Sequence, residues 1–311
     1  GKKAYVTVNV YPHNEDFPEL EEYLKYLESI LPDGIIISDP GIFRLIKKIA
    51  PKLNIHISVQ ANNTNWSSVV FWEELGAKRI ILARELSLKD IITIKEKTNI
   101  ELETFVHGAM CIAYSGRCLL SNYFTSRDAN RGQCAQPCRW KYFLMEEARP
   151  NQYYPVLEDD RGSYIFNSKD LCLVEHLPEL INAGISSFKI EGRMKSIHYV
   201  ATVVKVYREV IDTYLNDKDN FIFQPKWIEE LNKVSHREYS TGFYYNEVNE
   251  HNNQIYNSSS YEQTHDFIGL VKEYDEKTKT ALIEQRNNIK LNEEIEVMQP
   301  NKENFSQIIK D

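Results

Sequence analysis

The sequence predicts an α/β chain of the TIM-type (β/α)-barrel class, with an inserted cysteine-rich segment and a small antiparallel β-domain after it. Three observations carry this. From Ala4 to Glu103 short β-branched runs alternate with amphipathic stretches, and strand starts recur every 21 to 29 residues, the length of one strand, one helix and two short loops. Polar residues gather where each run ends, the face on which a parallel barrel assembles its site. Four of the five cysteines then fall within 28 positions, at Cys111, Cys118, Cys134 and Cys138.

Taken in order, strands are expected at Tyr5–Val10, Gly34–Ser38, Ile55–Val59, Arg79–Ala83 and Glu101–Val106. Helices are expected at Phe17–Ile30, Gly41–Ala50, Trp66–Leu75 and Leu88–Lys97. Asn9 closes the first strand, Ser38 and Asp39 the second, and Gln60, Asn62 and Asn63 follow the third. Arg84 and Glu85 follow the fourth and His107 the fifth. Helix capping accounts for Asp39 and Ser87 but not for Gln60, Arg84 or His107. Beyond the cysteines, WKYFLMEE and SYIFNS read as a hairpin placed to cover the mouth of the site. Asp170 to Asn182 reads as a helix capped by Ser168 and ended by Gly184, with Cys172 in its first turn. Ser187–Ile190 is a strand, Ile197–Leu215 a long amphipathic helix in which Tyr199 and Tyr207 pack, and Pro225–Val234 a second helix. SHREYSTGFYY would line the closing edge of the barrel. The polar stretch 246–262 is a linker between a barrel domain over 1–245, carrying its insertion at 107–166, and a β-domain over 263–311. The chain enters its first strand without a methionine and stops in mid-pattern at Asp311, so both the barrel and the β-domain read as incomplete.

Composition narrows the function. A net charge of −8 argues against coating nucleic acid through bulk charge, although a local basic groove is compatible with it. No apolar run reaches the roughly 18 residues of a membrane span, and clustered cysteines without an export signal suit the cytoplasm. No HExxH and no Gly-x-Ser-x-Gly occurs, so neither zinc-protease nor serine-hydrolase chemistry has its motif.

The cysteines carry the chemistry. Gly108, Gly116 and Gly132 let the backbone turn beside them, and Arg117, Arg127, Arg131 and Arg139 supply cations that hold thiolates. Structural zinc prefers two tight pairs, whereas only Cys134 and Cys138 are close here, so an all-cysteine iron–sulfur site fits better and zinc is the alternative. The radical-forming spacing is absent, because Lys141 stands where its third cysteine would fall. Cys172 is a small core residue or a substitute for Cys138 as fourth ligand. Lys189, Glu191, Arg193 and Lys195 crowd the end of a strand, where Arg193 could grip a carboxylate or phosphate and Lys195 add a point charge near a helix N-terminus.

The run from Glu103 to Ser121, with Phe105, Gly108, Cys111, Gly116, Cys118 and Ser121, resembles the signature of the collagenase-like peptidase family of unassigned mechanism, peptidase family U32. NSKDL and FKIEGRMKS resemble the same family. The likeness is strongest to its tRNA-hydroxylation branch, which takes part in making 5-hydroxyuridine at the wobble position with prephenate as a required metabolite. It implies a [4Fe–4S] cluster on Cys111, Cys118, Cys134 and Cys138 or Cys172, with tRNA presented through its anticodon loop. It further implies prephenate as co-substrate and a paralogous protein subunit as partner. Arg193, Glu191 and His107 are the catalytic candidates, and Lys195, Lys189, Arg84, Gln60 and Asn62 the substrate-binding ones. The alternatives are a peptidase and a subunit or cluster-binding scaffold of an oxygen-independent hydroxylase.

Overall fold

The computed structural model describes residues 1–111, 113–140, 168–245, 261–300 and 302–310. The chain divides into two compact units, Gly1–Glu191 with Glu238–Ser260, and Gly192–Arg237 with Tyr261–Asp311. The first unit alternates β1 (Tyr5–Val8), α1 (Phe17–Ile30), β2 (Gly34–Ile37), α2 (Pro40–Ile49), β3 (Ile55–Ile57), α3 (Trp66–Glu74), β4 (Arg79–Ile81), α4 (Leu88–Lys95) and β5 (Glu101–Ala109). Then come α5 (Leu120–Thr125), β6 (Asp170–Cys172), α6 (Leu177–Asn182), β7 (Ser187–Ile190) and β8 (Tyr239–Ser240).

β1 to β5 pair in parallel in sequence order, the arrangement that consecutive βα units build. Every residue of β2 and β3 is buried, the pattern of strands covered on both faces, and burying each isoleucine contributes about 1.5–3 kcal/mol. Helix starts are fixed locally. Asp39 accepts the Ile42 N–H at 3.0 Å to cap α2, and Ser87 and Asp90 form a reciprocal box at the head of α4. The predicted α/β class and parallel order hold. The sheet runs from β1 to β8, and among the described residues no pairing returns β8 to β1.

Segment 170–182 departs from the expected single helix. Asp170–Cys172 is β6, whose residues lie opposite Ala109, Gly108 and His107 of β5, and Cys172 is therefore a buried strand residue rather than one at a helix start. The helix forms only at Leu177, where Pro178 sits in the first turn, the one place in a helix that tolerates proline. Ser168 does not cap it; His176 occupies that position, while Gly184 ends the helix with φ +82° as expected. The hairpin expected from WKYFLMEE and SYIFNS and the linker from Asn246 lie outside the described residues.

A charged cluster sits on the sheet. Arg79 of β4 reaches Glu101 at 2.6 Å and Glu103 at 3.1 Å, and Lys189 of β7 reaches the other oxygen of Glu103 at 3.1 Å. Burial pushes the Glu103 carboxyl up, but Lys189, Ser187 and Arg79 more than offset this and keep it ionised. His56 of β3 packs beside Tyr5, its imidazole over the bare Cα of Gly34, where a Cβ would lie 2.9 Å from the ring.

The second unit holds α7 (Ile197–Asn216), α8 (Lys226–Asn232) and two antiparallel pairs, β9 (Gly269–Asp275) with β10 (Thr280–Gln285) and β11 (Glu294–Val297) with β12 (Phe305–Ile308). Tyr199 and Tyr207 are buried on α7, as the helical spacing predicts. Lys233 after α8 bonds Glu296 of β11 at 2.8 Å, and Lys205 of α7 bonds Asn304 at 2.6 Å.

Desolvation, then the Arg79 charge, lowers the His56 pKa from 6.5 to about 4. Between those values the unfolded chain takes up a proton that the folded one refuses, so stability falls as pH falls through this window and is level below it. Urea unfolding should show a loss of about 2 kcal/mol from this residue between pH 7 and pH 5. His56→Gln should flatten the acid limb by that amount; an unchanged limb would refute the assignment.

Candidate functional site

The polar residues at the strand ends form one hydrogen-bonded rim. Ser38 Oγ donates to the Asn9 carbonyl at 2.9 Å, and Asn9 Nδ2 donates to Gln60 Oε1 at 2.6 Å. The Gln60 carbonyl accepts from Tyr11 Oη at 2.7 Å and from Arg117 Nε at 3.1 Å. Asn62 adopts a left-handed conformation at φ 55° and ends the turn 59–61, so its side chain is placed by the backbone.

Two of these contacts seat the cysteine segment. Arg117, beside Cys118, is held by Gln60, and Glu85 after β4 accepts both the N–H and the Oγ–H of Ser115, each at 2.6 Å. Ser115 is buried at φ 45°, a costly backbone for a residue with a Cβ, and the two Glu85 bonds compensate. Further on, the fully buried Ser121 accepts the Ala135 N–H at 2.9 Å, tying α5 to the Cys134 loop. A cleft of about 430 Å³ opens beside Cys118, lined by Tyr11, Ser38, Asp39, Arg117, Leu119 and Asn130.

All five cysteines are free thiols, Cys118 and Cys172 buried and the others half-buried. Burial pushes the Cys111 thiol up; a hydrogen bond from the Ala113 backbone and the Arg84 charge oppose this, while Cys118 and Cys134 add to it. Arg84 stacks on Phe105 with its guanidinium carbon 3.8 Å from the ring centre. Burial lowers its pKa against the fields of Cys111, Glu191 and Glu85, yet a guanidinium starts so high that it stays charged. Free thiols near a buried cation are, in kind, the donors that an iron–sulfur cluster takes. Among the described residues no group of three or more His, Cys, Asp and Glu side chains is set at metal-holding distances.

His107 is buried in β5, opposite Cys172 of β6, with its ring 5.4 Å from that of Tyr239. Its carbonyl accepts the Glu191 N–H at 2.9 Å. Gly108, at φ +108°, lets the Glu191 backbone come so close that a Cβ would lie 2.5 Å from its carbonyl oxygen. Gln60, Arg84, His107, Glu191 and the cysteines thus belong to the first unit. Lys189 is there too, but its ammonium is committed to Glu103, a role in ion pairing that a strand-end charge count does not reveal. Arg193 and Lys195 open the second unit. Arg193 is exposed, and Lys195, just before the α7 cap Ser196, donates to the Ser235 carbonyl at 2.8 Å and stands over Tyr199 and Tyr261. Sequence reasoning missed the bond between Glu85 and Ser115; the signal available was a carboxylate directly after Arg84, with nothing to name its partner 30 residues on.

The model for peptidase family U32 matches residues 1–254, and that for the peptidase family U32 C-terminal domain matches 263–311. The tRNA hydroxylation protein P1 of Bacillus subtilis is 47% identical, covering 99% of this chain and 73% of its own length. The tRNA hydroxylation protein P of Escherichia coli is 37% identical over 96% of this chain and 74% of its own. The 23S rRNA 5-hydroxycytidine C2501 synthase of Escherichia coli is 34% identical over 70% of this chain and 32% of its own.

Removing the Glu85 carboxylate should free the turn that carries the first cysteines. In Glu85→Ala, hydrogen exchange at 113–119 should speed up by the equivalent of about 1–3 kcal/mol while β1–β4 keep their protection. Unchanged exchange in that turn would show that Glu85 is not its anchor.

Proposed function

The chain belongs to peptidase family U32, and from that membership and its thiol-bearing rim we propose that it hydroxylates a pyrimidine ring in RNA. The reaction assigned is 5-hydroxylation of the wobble uridine of tRNA, with prephenate as the required dicarboxylate and a [4Fe–4S] cluster as cofactor. The observation that carries this reading is the anchoring of the cysteine segment to the strand ends, through Glu85 to Ser115 and through Gln60 to Arg117 beside Cys118. The names of relatives point the same way: two are called tRNA hydroxylation proteins, and a third makes a pyrimidine carrying a C5 hydroxyl in rRNA. An anticodon loop presents its bases unpaired, which spares the cost of flipping one out of a duplex.

In this reading Cys111, Cys118 and Cys134 hold the cluster, with Cys138 or Cys172 as the fourth sulfur. Bound there, a cluster would supply redox chemistry. Arg84 would offset the negative charge that gathers on thiolates, and the Phe105 ring supports its guanidinium from one side. Gln60 and Glu85 hold the segment in place through Arg117 and Ser115. His107 and Glu191 are the groups assigned to proton movement at C5. Arg193 and Lys195 are assigned to the carboxylates of prephenate, for which a guanidinium fork is suited. Lys189 is left out of substrate binding because Glu103 already holds it.

Anaerobic purification with iron and sulfide counts tests the cofactor, and nucleoside analysis of tRNA from a deletion strain tests the reaction. Cys134→Ser should lose iron and 5-hydroxyuridine together, and Arg193→Ala should keep iron while activity falls by tenfold or more. Deletion cells with normal 5-hydroxyuridine derivatives would end the reading.

A further inference from the structure

The cysteine segment turns apolar rings outward. Tyr123 is 84% exposed and Leu119 74%, and Phe124 and Trp140 are exposed as well. The rings are contiguous, with Tyr123 and Phe124 centred 5.3 Å apart and Phe124 and Trp140 6.5 Å apart. A contiguous surface of exposed aromatic rings marks a recognition site. Its charge says which partner it suits. The chain as a whole carries −8, yet between Cys111 and Trp140 there are four arginines and one acid, Asp128. Arg117 is held by Gln60, and Arg131 pairs with Asp16 at 3.0 Å, whereas Arg127 stands exposed two residues past α5. Rings interleaved with fixed positive charge are the means by which proteins take up unpaired nucleotides: bases stack on the π-faces and phosphates meet the guanidinium groups.

We propose that Tyr123, Phe124 and Trp140 form a stacking platform for unpaired bases of an RNA loop, with Arg127 contacting its backbone. This rests on the reading of the chain as an RNA-modifying protein and names the surface through which the loop is gripped. The Ser121 bond to Ala135 ties the platform to the loop bearing Cys134. Stacked bases would therefore be held beside the sulfurs, while the platform itself takes no part in the chemistry.

Fluorescence anisotropy of the full chain tests this with an anticodon stem–loop RNA and, as control, a fully paired RNA of the same length. Tyr123→Ala and Trp140→Ala should each weaken loop binding by about tenfold and leave duplex binding unchanged. Tyr123→Phe, which keeps the ring, should bind as wild type. Arg127→Ala should weaken both RNAs alike and reduce the salt slope by about one. Thermal melts and iron content should stay at wild-type values in all four. If wild type binds the loop and the ring variants bind equally well, the platform is overturned and the proposed function stands. If wild type binds neither RNA and deletion cells keep their hydroxylated uridine, both fall. A wild-type dimer that Tyr123→Ala converts to monomer would make this face a protein interface and overturn the proposal.

Discussion

Strand β5 must satisfy three neighbours at once, and the site is arranged around how it does so. It pairs with β4 through residues 101–103, with β7 through 103–107, and with β6 in the opposite direction through 107–109. No strand can keep one register through such a change of partners, and the irregularity falls between Phe105 and His107. Gly108 follows at once with a positive φ, admitting the Glu191 carbonyl where any side chain would collide. The strand therefore delivers His107 and Cys111 in a bent stretch of backbone, and β6 places Cys172 beside the bend.

The rest of the rim works by hydrogen bonding rather than by burial. Glu85 and Gln60 each seize the cysteine segment, through Ser115 and Arg117, and they do so from the ends of β4 and β3. Such an arrangement lets a segment that turns several of its apolar side chains outward sit firmly on a scaffold whose core is isoleucine and leucine. Arg84 lies on the same loop as Glu85 and its charge opposes the rise that burial imposes on the Cys111 thiol, so one strand end supplies both an anchor and a cation.

Much of this could be read from residues in order. Helix α1 spans the predicted Phe17–Ile30, and the first five strands start where their β-branched runs start, because a repeating unit announces each boundary twice, by apolar period and by cap. Segment 170–182 was misread because a three-residue strand has no period to show, and the apolar residues Leu171, Leu173 and Leu177 suit a helix equally well. The ion pairs of Arg79 were illegible for a different reason. Glu101 and Glu103 lie 22 and 24 positions away, Lys189, the second partner of Glu103, lies 86 beyond Glu103, and only strand pairing brings them together. The outward-facing rings of α5 were visible as letters, but exposure is a property of the packed chain.

The joining of Arg79, Glu103 and Lys189 also bears on how this protein can change over generations. A buried carboxylate held by two cations ties the three positions together, since loss of the acid strands Lys189 and loss of the inner guanidinium leaves Glu103 with one cation in place of two. An apolar trio of matching volume, by contrast, fills the same space at little or no cost. Drift at β4, β5 and β7 is therefore constrained to move in concert, and lineages should keep the charged set whole or exchange it whole.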